Sequence, residues 1–174
     1  MESFLVLGLK EDQILEDREI EKIVKEDQFQ KTWDFLLKYC TLRPRSRNEV
    51  NLWIRRKKVH ESLIKDLIKK LKRLELIDDQ AFALWWIEQR TSFKPRGKRA
   101  LKFELRQKGI KTETIDKVLS QVNLNEEKLA KGLIAKKSYL FSKYSGREAW
   151  KKKSQYLARK GFDWEIIEKT LGKR

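Results

Sequence analysis

The sequence predicts an all-α protein of three tandem three-helix, helix-turn-helix-like repeats of about 51 residues in an elongated modular arrangement. Three observations predict it. Apolar residues recur at helical spacing along most of the chain, and no segment sustains period-two alternation. Only 7 Gly and 2 Pro stand among 174 residues, too few to turn an all-β chain. The chain also matches itself. Leu105 to Ile110 (LRQKGI) resembles Leu157 to Phe162 (LARKGF) at a shift of 52, and the match runs on through Glu113/Glu165, Ile115/Ile167, Lys117/Lys169 and Leu119/Leu171. In the other direction a shift of 51 reaches Ile54 to Val59 (IRRKKV), and Pro44-Arg45 falls on Pro95-Arg96. Self-similarity at this period means stacked supersecondary units.

The elements follow in order. A short acidic segment is expected over 1–26, with repeats over 27–77, 78–124 and 125–174. In the first repeat, Phe29 to Cys40 is helix one. Ser46 and Glu49 form an S-x-x-E capping box that opens helix two. His60 to Leu74 is helix three, with Leu63, Ile64, Leu67, Ile68, Leu71 and Leu74 on one stripe and Lys65, Lys69, Lys70, Lys72 and Arg73 off it. In the second repeat Asp78 or Asp79 caps a helix running through Arg90, Gly97 takes the place of Ser46, and Gly109 ends the next helix. In the third, Asn125 precedes Glu126 and Glu127, as an N-cap followed by first-turn acids should. Gly161 closes a helix and Asp163 caps the last one. Gly109 and Gly161 suit the position after a helix, where φ turns positive and only Gly avoids a Cβ clash. Lys58 holds that place in the first repeat, so its turn should be costlier or differently shaped.

Charge excludes several classes and points to one. The chain carries 42 Lys and Arg against 26 Asp and Glu, a net of +16. Residues 1–41 hold 6 basic and 10 acidic residues, a net of −4, and residues 42–174 hold 36 and 16, a net of +20. A field of that sign attracts polyanions, nucleic acid first. Its competitor is a solvated Lys-rich helical surface, but solubility does not require so large an excess. The longest charge-free runs, Gln80 to Ile87 and Val118 to Asn125, are about eight residues, far short of the roughly 20 of a membrane span. Phe4 to Leu9 is too short for a secretion signal and Glu2 has the wrong charge. One cysteine, Cys40, permits no internal disulfide, and with His60 as the only histidine no Cys/His zinc site or histidine-based catalytic set can be assembled. The expectation is a cytoplasmic monomer that is not an enzyme and takes no metal or cofactor.

Four ordered segments resemble those of a known family. Arg43-Pro44-Arg45-Ser46 with Glu49-Val50 is the first. Leu76-Ile77-Asp78-Asp79 with Phe82-Ala83, then Trp86 and Arg90, is the second. Glu104 to Ile110 and Tyr156 to Phe162 are the third and fourth. Together they resemble RecX, the bacterial regulator of the RecA recombinase, over about residues 29–171. The resemblance implies tandem three-helix repeats that bind RecA, lodge in the groove of the RecA–DNA filament, and restrain strand exchange, ATP hydrolysis and cleavage of the SOS repressor. Some members also bind DNA directly. Two departures stand out: no clear place for the β-hairpin that longer members carry at the N-terminus, and Lys58 in place of the usual Gly. The rival from another class is a DNA-binding helical-repeat protein, sequence-tolerant or sequence-specific, that acts without RecA.

Candidate surface residues come from helical spacing. Lys98, Lys102 and Arg106 fall at i, i+4 and i+8 on one edge, flanked by Arg96 and Arg99. Either this is a basic ridge for phosphates or acidic filament surfaces, or it is a solvated face opposite Leu101 and Leu105. Lys151, Lys152 and Lys153 beside Trp150 divide the same way, with Trp150 read as core before base-stacking platform. Pro44, Ser46, Glu49, Asp79, Gly109 and Gly161 are read as structural. Asp78 and Asp79 are read as caps rather than a metal pair, His60 as a surface residue near a helix start, and Cys40 as a small buried hydrophobe.

Overall fold

Nine α-helices and no strand make up the described residues of the structure, a computed structural model whose described part is residues 16–173. They form three sets of three. The first is α1 (Asp17–Thr41), α2 (Arg47–Arg56) and α3 (Glu61–Arg73). The second is α4 (Asp79–Phe93), α5 (Lys98–Gln107) and α6 (Thr112–Gln121). The third is α7 (Glu126–Lys136), α8 (Gly146–Arg159) and α9 (Trp164–Leu171), with a short 3₁₀ turn at Ser138–Leu140. In each set the first helix packs on the third: α1 on α3, α4 on α6, α7 on α9. The chain divides into two compact units, Met1–Arg45 with Val50–Ile77, and Ser46–Glu49 with Asp78–Arg174. The reading of Glu2 and Phe4 to Leu9 lies outside the described residues.

In the first unit α1 starts at Asp17 rather than Phe29, so residues 17–26 of the expected acidic segment are helical. No Gly or Pro interrupts this stretch, and its acids suit the helix start. Asp17 and Glu19 lie in the first turn, and the Glu16 amide donates to Glu19 Oε2 at 3.0 Å. Lys31 pairs with Asp27 at 2.7 Å one turn away. Burial begins only where the apolar spacing does: Trp33, Leu36 and Cys40 enter a core with Val50, Ile54, Leu63, Leu67 and Leu71. The Lys70 ammonium lies 4.2 Å over the Trp33 ring, so a lysine off the α3 stripe still covers the aromatic edge of the core. Burial pushes the Cys40 thiol up to about 11, with Arg45 pulling against it, which makes it the inert hydrophobe expected. His60 is the exposed N-cap of α3, its Nδ1 accepting from the Ser62 amide at 3.4 Å.

The second unit has two cores. Phe82, Ile87, Leu101, Leu105, Ile115 and Val118 anchor one, and Ala130, Leu133, Leu157, Phe162 and Ile167 the other. Asp78 caps α4, accepting from the Gln80 and Ala81 amides at 2.7 and 3.1 Å. Asn125 caps α7 through the Lys128 amide at 2.9 Å. Asp163 stands at the N-cap of α9 but accepts no amide with its side chain, so its extended backbone (φ −75°, ψ 158°) starts that helix. Trp150 is half-buried beside Trp164, centroids 5.5 Å apart, and donates its indole N–H to the Gly172 carbonyl at 3.0 Å. It therefore closes the edge of the third set rather than filling its centre.

Two helix starts in this unit are held in the same way. At the start of α2, the Arg47 amide donates to Asp79 Oδ1 at 2.8 Å, and Ser46 Oγ donates to the Lys108 carbonyl at 2.9 Å while accepting from the Glu49 amide at 3.1 Å. At the start of α5, the Lys98 amide donates to Glu126 Oε1 at 2.8 Å and the Gly97 amide donates to the Lys160 carbonyl at 3.0 Å. Asp79 and Glu126 are each the first residue of a helix. Each start also abuts a glycine turn. A Cβ on Gly109 would lie 2.5 Å from Asn48 Cβ, and one on Gly161 would overlap Ala100 Cβ. Gly109 and Gly161 take φ +79° and +84°, so conformation and space both demand glycine.

Lys58 takes φ 51° at the corresponding turn of the first set, the strained conformation expected for a side chain there. Gly161→Ala is therefore expected to destabilise the chain by about 2 kcal/mol or more, from positive φ and overlap together, and Lys58→Gly to stabilise it by about 1 kcal/mol. Urea unfolding of both variants checks this. An unchanged Gly161→Ala transition would contradict the account of the turn.

Candidate polyanion-binding surface

The α5 edge is real as geometry, but most of its charge is already engaged. Lys98 Nζ lies 3.9 Å from Glu126 Oε2, and Lys102 Nζ 2.7 Å from Asp116 Oδ1 on α6. Arg96 Nε lies 3.4 Å from Glu104 Oε1. Arg99 is exposed and one guanidinium nitrogen reaches the Ala158 carbonyl at 3.3 Å. Arg106 is exposed and makes no ion pair among the described residues. The face that is open to solvent runs Arg99, Phe103, Arg106, at i, i+4 and i+7, with the Phe103 ring 60% exposed between the two arginines. Charge spacing finds this face only in part, since Phe103 reads as a core position until the helix phase is fixed by Leu101 and Leu105.

The α8 lysines do not act as one group. Successive residues on a helix point about 100° apart, so Lys151 and Lys152 are exposed while Lys153 is half-buried. Lys152 Nζ lies 5.4 Å from the centroid of the Tyr144 ring.

A second cationic cluster draws on residues far apart in the sequence. Arg96 precedes α5, Lys137 caps the C-terminal end of α7, and Arg159 and Lys160 end α8. The Gly97–Lys160 backbone hydrogen bond brings the Arg96 segment to the α8–α9 turn. Burial holds the Lys160 ammonium below the usual lysine range, and the positive charges of Arg96, Lys137 and Arg159 lower it further. Lys160 Nζ sits 5.4 Å over the Tyr156 ring, and Lys137 Nζ donates to Tyr139 Oη at 3.1 Å. No single helix carries these residues at one spacing, so periodicity gives no signal for them.

Among the described residues no group of three or more His, Cys, Asp and Glu is disposed to hold a metal, and no helix is long and apolar enough to cross a membrane. Asp78 and Asp79 serve two different helix starts.

Residues 78–119 match the model of the second three-helix domain of RecX, and residues 125–171 match that of its third. The chain belongs to the RecX family. It is 35% identical over 141 residues to the regulatory protein RecX of Chlorobium phaeobacteroides (strain BS1), covering 81% of this chain and 91% of that protein. It is 31% identical over 158 residues to the regulatory protein RecX of Oceanobacillus iheyensis, covering 90% of this chain and 58% of that one, so it spans about three fifths of that longer relative. The crystal structure of a regulatory protein RecX superposes with a TM-score of 0.78 at 25% identity, covering 99% of this chain and 85% of the other. That of RecX from Lactobacillus salivarius gives 0.73 at 27% identity, covering 84% of this chain and 96% of the other.

The RecX-like signature residues have structural work in this chain. Pro44 lies exposed in the turn before α2, its carbonyl accepting from Arg43 at 2.8 Å. Ser46, Asp79, Gly109 and Gly161 build the helix starts described above, and Glu49 takes the Lys108 ammonium at 3.0 Å. Trp86, Arg90 and Glu104 form one cluster. Glu104 Oε2 accepts from the Trp86 indole at 2.9 Å and from Arg90 Nε at 2.7 Å, and the Arg90 guanidinium lies 4.4 Å over the Trp86 ring. Glu104→Ala is expected to cost about 2 kcal/mol, since it strands a part-buried arginine and an indole N–H, whereas Lys102→Ala at an exposed pair should change stability by under about 0.5 kcal/mol. Equal unfolding midpoints for the two variants would overturn this ranking.

Proposed function

We propose that the chain is a non-enzymatic cytoplasmic regulator that binds RecA and RecA–DNA filaments as a monomer and inhibits recombinase, ATPase and coprotease activity. The observation that carries this reading is the pair of RecX domain matches in series, at residues 78–119 and 125–171. Net charge supports a polyanionic partner, with +20 over residues 42–174. The exposed Arg99, Phe103 and Arg106 face on α5, with Lys151 and Lys152 on α8, offers contacts of low sequence specificity to nucleic acid or to an acidic protein surface. Phosphate contacts position a protein on a strand without reading its sequence.

RecA-dependent ATP hydrolysis on single-stranded DNA, with and without the protein, tests the proposal. Inhibition at sub-stoichiometric protein and shorter filaments by electron microscopy are expected. Unchanged hydrolysis and filament length at equimolar protein, together with preference for one duplex sequence of about 10³-fold, would instead favour a DNA-binding protein acting without RecA.

A further inference from the structure

We propose that Arg96, Lys137, Arg159 and Lys160, with the rings of Tyr139 and Tyr156, form a binding site for a nucleotide unit, its phosphate among the cations and its base on the exposed Tyr139 face. The site rests on the nucleic-acid half of the reading above and does not require RecA. The four cations come from the segment before α5 and the ends of α7 and α8: the Gly97–Lys160 backbone hydrogen bond at 3.0 Å ties the first to the end of α8, and the Phe141–Tyr156 ring contact at 5.7 Å brings up the turn that follows α7. A helix C-terminus favours a cation, which accounts for Lys137 and Lys160 one at a time. It does not account for four converging cations. The positive charges of Arg96, Lys137 and Arg159 add to the cost of burying Lys160. The carboxylate nearest Arg96 belongs to Glu104, whose other oxygen already serves Trp86 and Arg90. Arg96 Nε is buried 3.4 Å from that carboxylate without a hydrogen bond to it, so the pair is held by charge alone. An anion beside Lys160 would relieve the mutual repulsion.

The tyrosines give the ligand its second half. Tyr139 is 63% exposed; its hydroxyl accepts from Lys137 Nζ at 3.1 Å and the same ammonium lies 5.4 Å from the ring centroid, so the ring stands beside the cations with most of its surface in solvent. Tyr156 is braced edge-on by Phe141, centroids 5.7 Å apart, and lies 5.4 Å beneath the Lys160 ammonium. Cations for phosphate beside an aromatic platform for an unpaired base are the two elements of single-strand recognition. A free nucleotide presents the same chemistry, and an acidic peptide presents only the charge.

The test uses the full chain without RecA. The Lys160 side chain is followed by NMR while oligo(dT), AMP, inorganic phosphate or poly-glutamate is added. A bound phosphate should raise the Lys160 titration midpoint, and either oligo(dT) or AMP should do so; which of them acts at lower concentration identifies the source. The double variant Lys137→Gln/Lys160→Gln should lose about tenfold in oligo(dT) affinity and reduce the salt slope by about 1.4. Tyr139→Ala, at an exposed position, should lose about tenfold with the slope unchanged. An unmoved Lys160, full affinity in the double variant, or poly-glutamate binding as tightly as oligo(dT) would each overturn the site. Because RecA is absent, any of these leaves the filament reading to its own ATPase assay.

Discussion

The amides that begin a helix have no partner within it, and in this chain the second unit answers that need with a carboxylate from the start of another helix. Glu126 is the first residue of α7, where an acid is favoured by the helix's own dipole. It is only 7% exposed, and it accepts the first amide of α5. A carboxylate buried to that extent persists only when bonded. Here it begins one helix and accepts the first amide of another, and the Lys98 ammonium, 3.9 Å away, supplies the compensating charge. Asp79 does the same for the first amide of α2. The glycine turns at 109 and 161 complete the arrangement, because no side chain fits where the neighbouring helix start lies. Each glycine is thus fixed twice over, by its backbone angle and by its neighbour.

Charge in this protein has two uses, and they are separable residue by residue. Glu104 gathers Trp86, Arg90 and Arg96, and Glu49 and Glu126 take Lys108 and Lys98, so a good part of the signature charge is spent on structure. What remains outward is Arg99 and Arg106 around Phe103, Lys151 and Lys152 on α8, and Lys137, Arg159 and Lys160. A basic chain of this kind keeps its long-range field even though individual cations are paired, since the pairs are few against the excess.

The fold was legible because its signals are local. Helical spacing, the Ser46 and Asn125 caps and the Gly109/Gly161 pair each depend on a few neighbouring residues, and all recur in the structure. The extent of α1 was not legible, because residues 17–28 lack a buried stripe: Ile20 and Val24 stay exposed, and only the absence of breakers marks the helix. The α5 edge was legible as spacing, but its pairing was not. Asp116 and Glu126 lie on other helices, and no period in one helix reports a partner on the next. The same reason hides the Lys160 cluster, whose members span Arg96 to Lys160. Glu126 reads as a first-turn acid, yet nothing in that position tells that its carboxylate accepts the first amide of another helix.

The central claim is that a carboxylate beginning one helix holds the start of another. Native-state hydrogen exchange of the Lys98 amide, in the wild type and in Glu126→Ala, tests it most directly. A first-turn amide without a partner exchanges freely, so the account predicts slow exchange at Lys98 in the wild type. In Glu126→Ala it predicts a loss of protection of about tenfold or more, while the amides in the middle of α6 keep theirs. A Lys98 amide that exchanges freely in the wild type, or one as protected in Glu126→Ala as before, would contradict it.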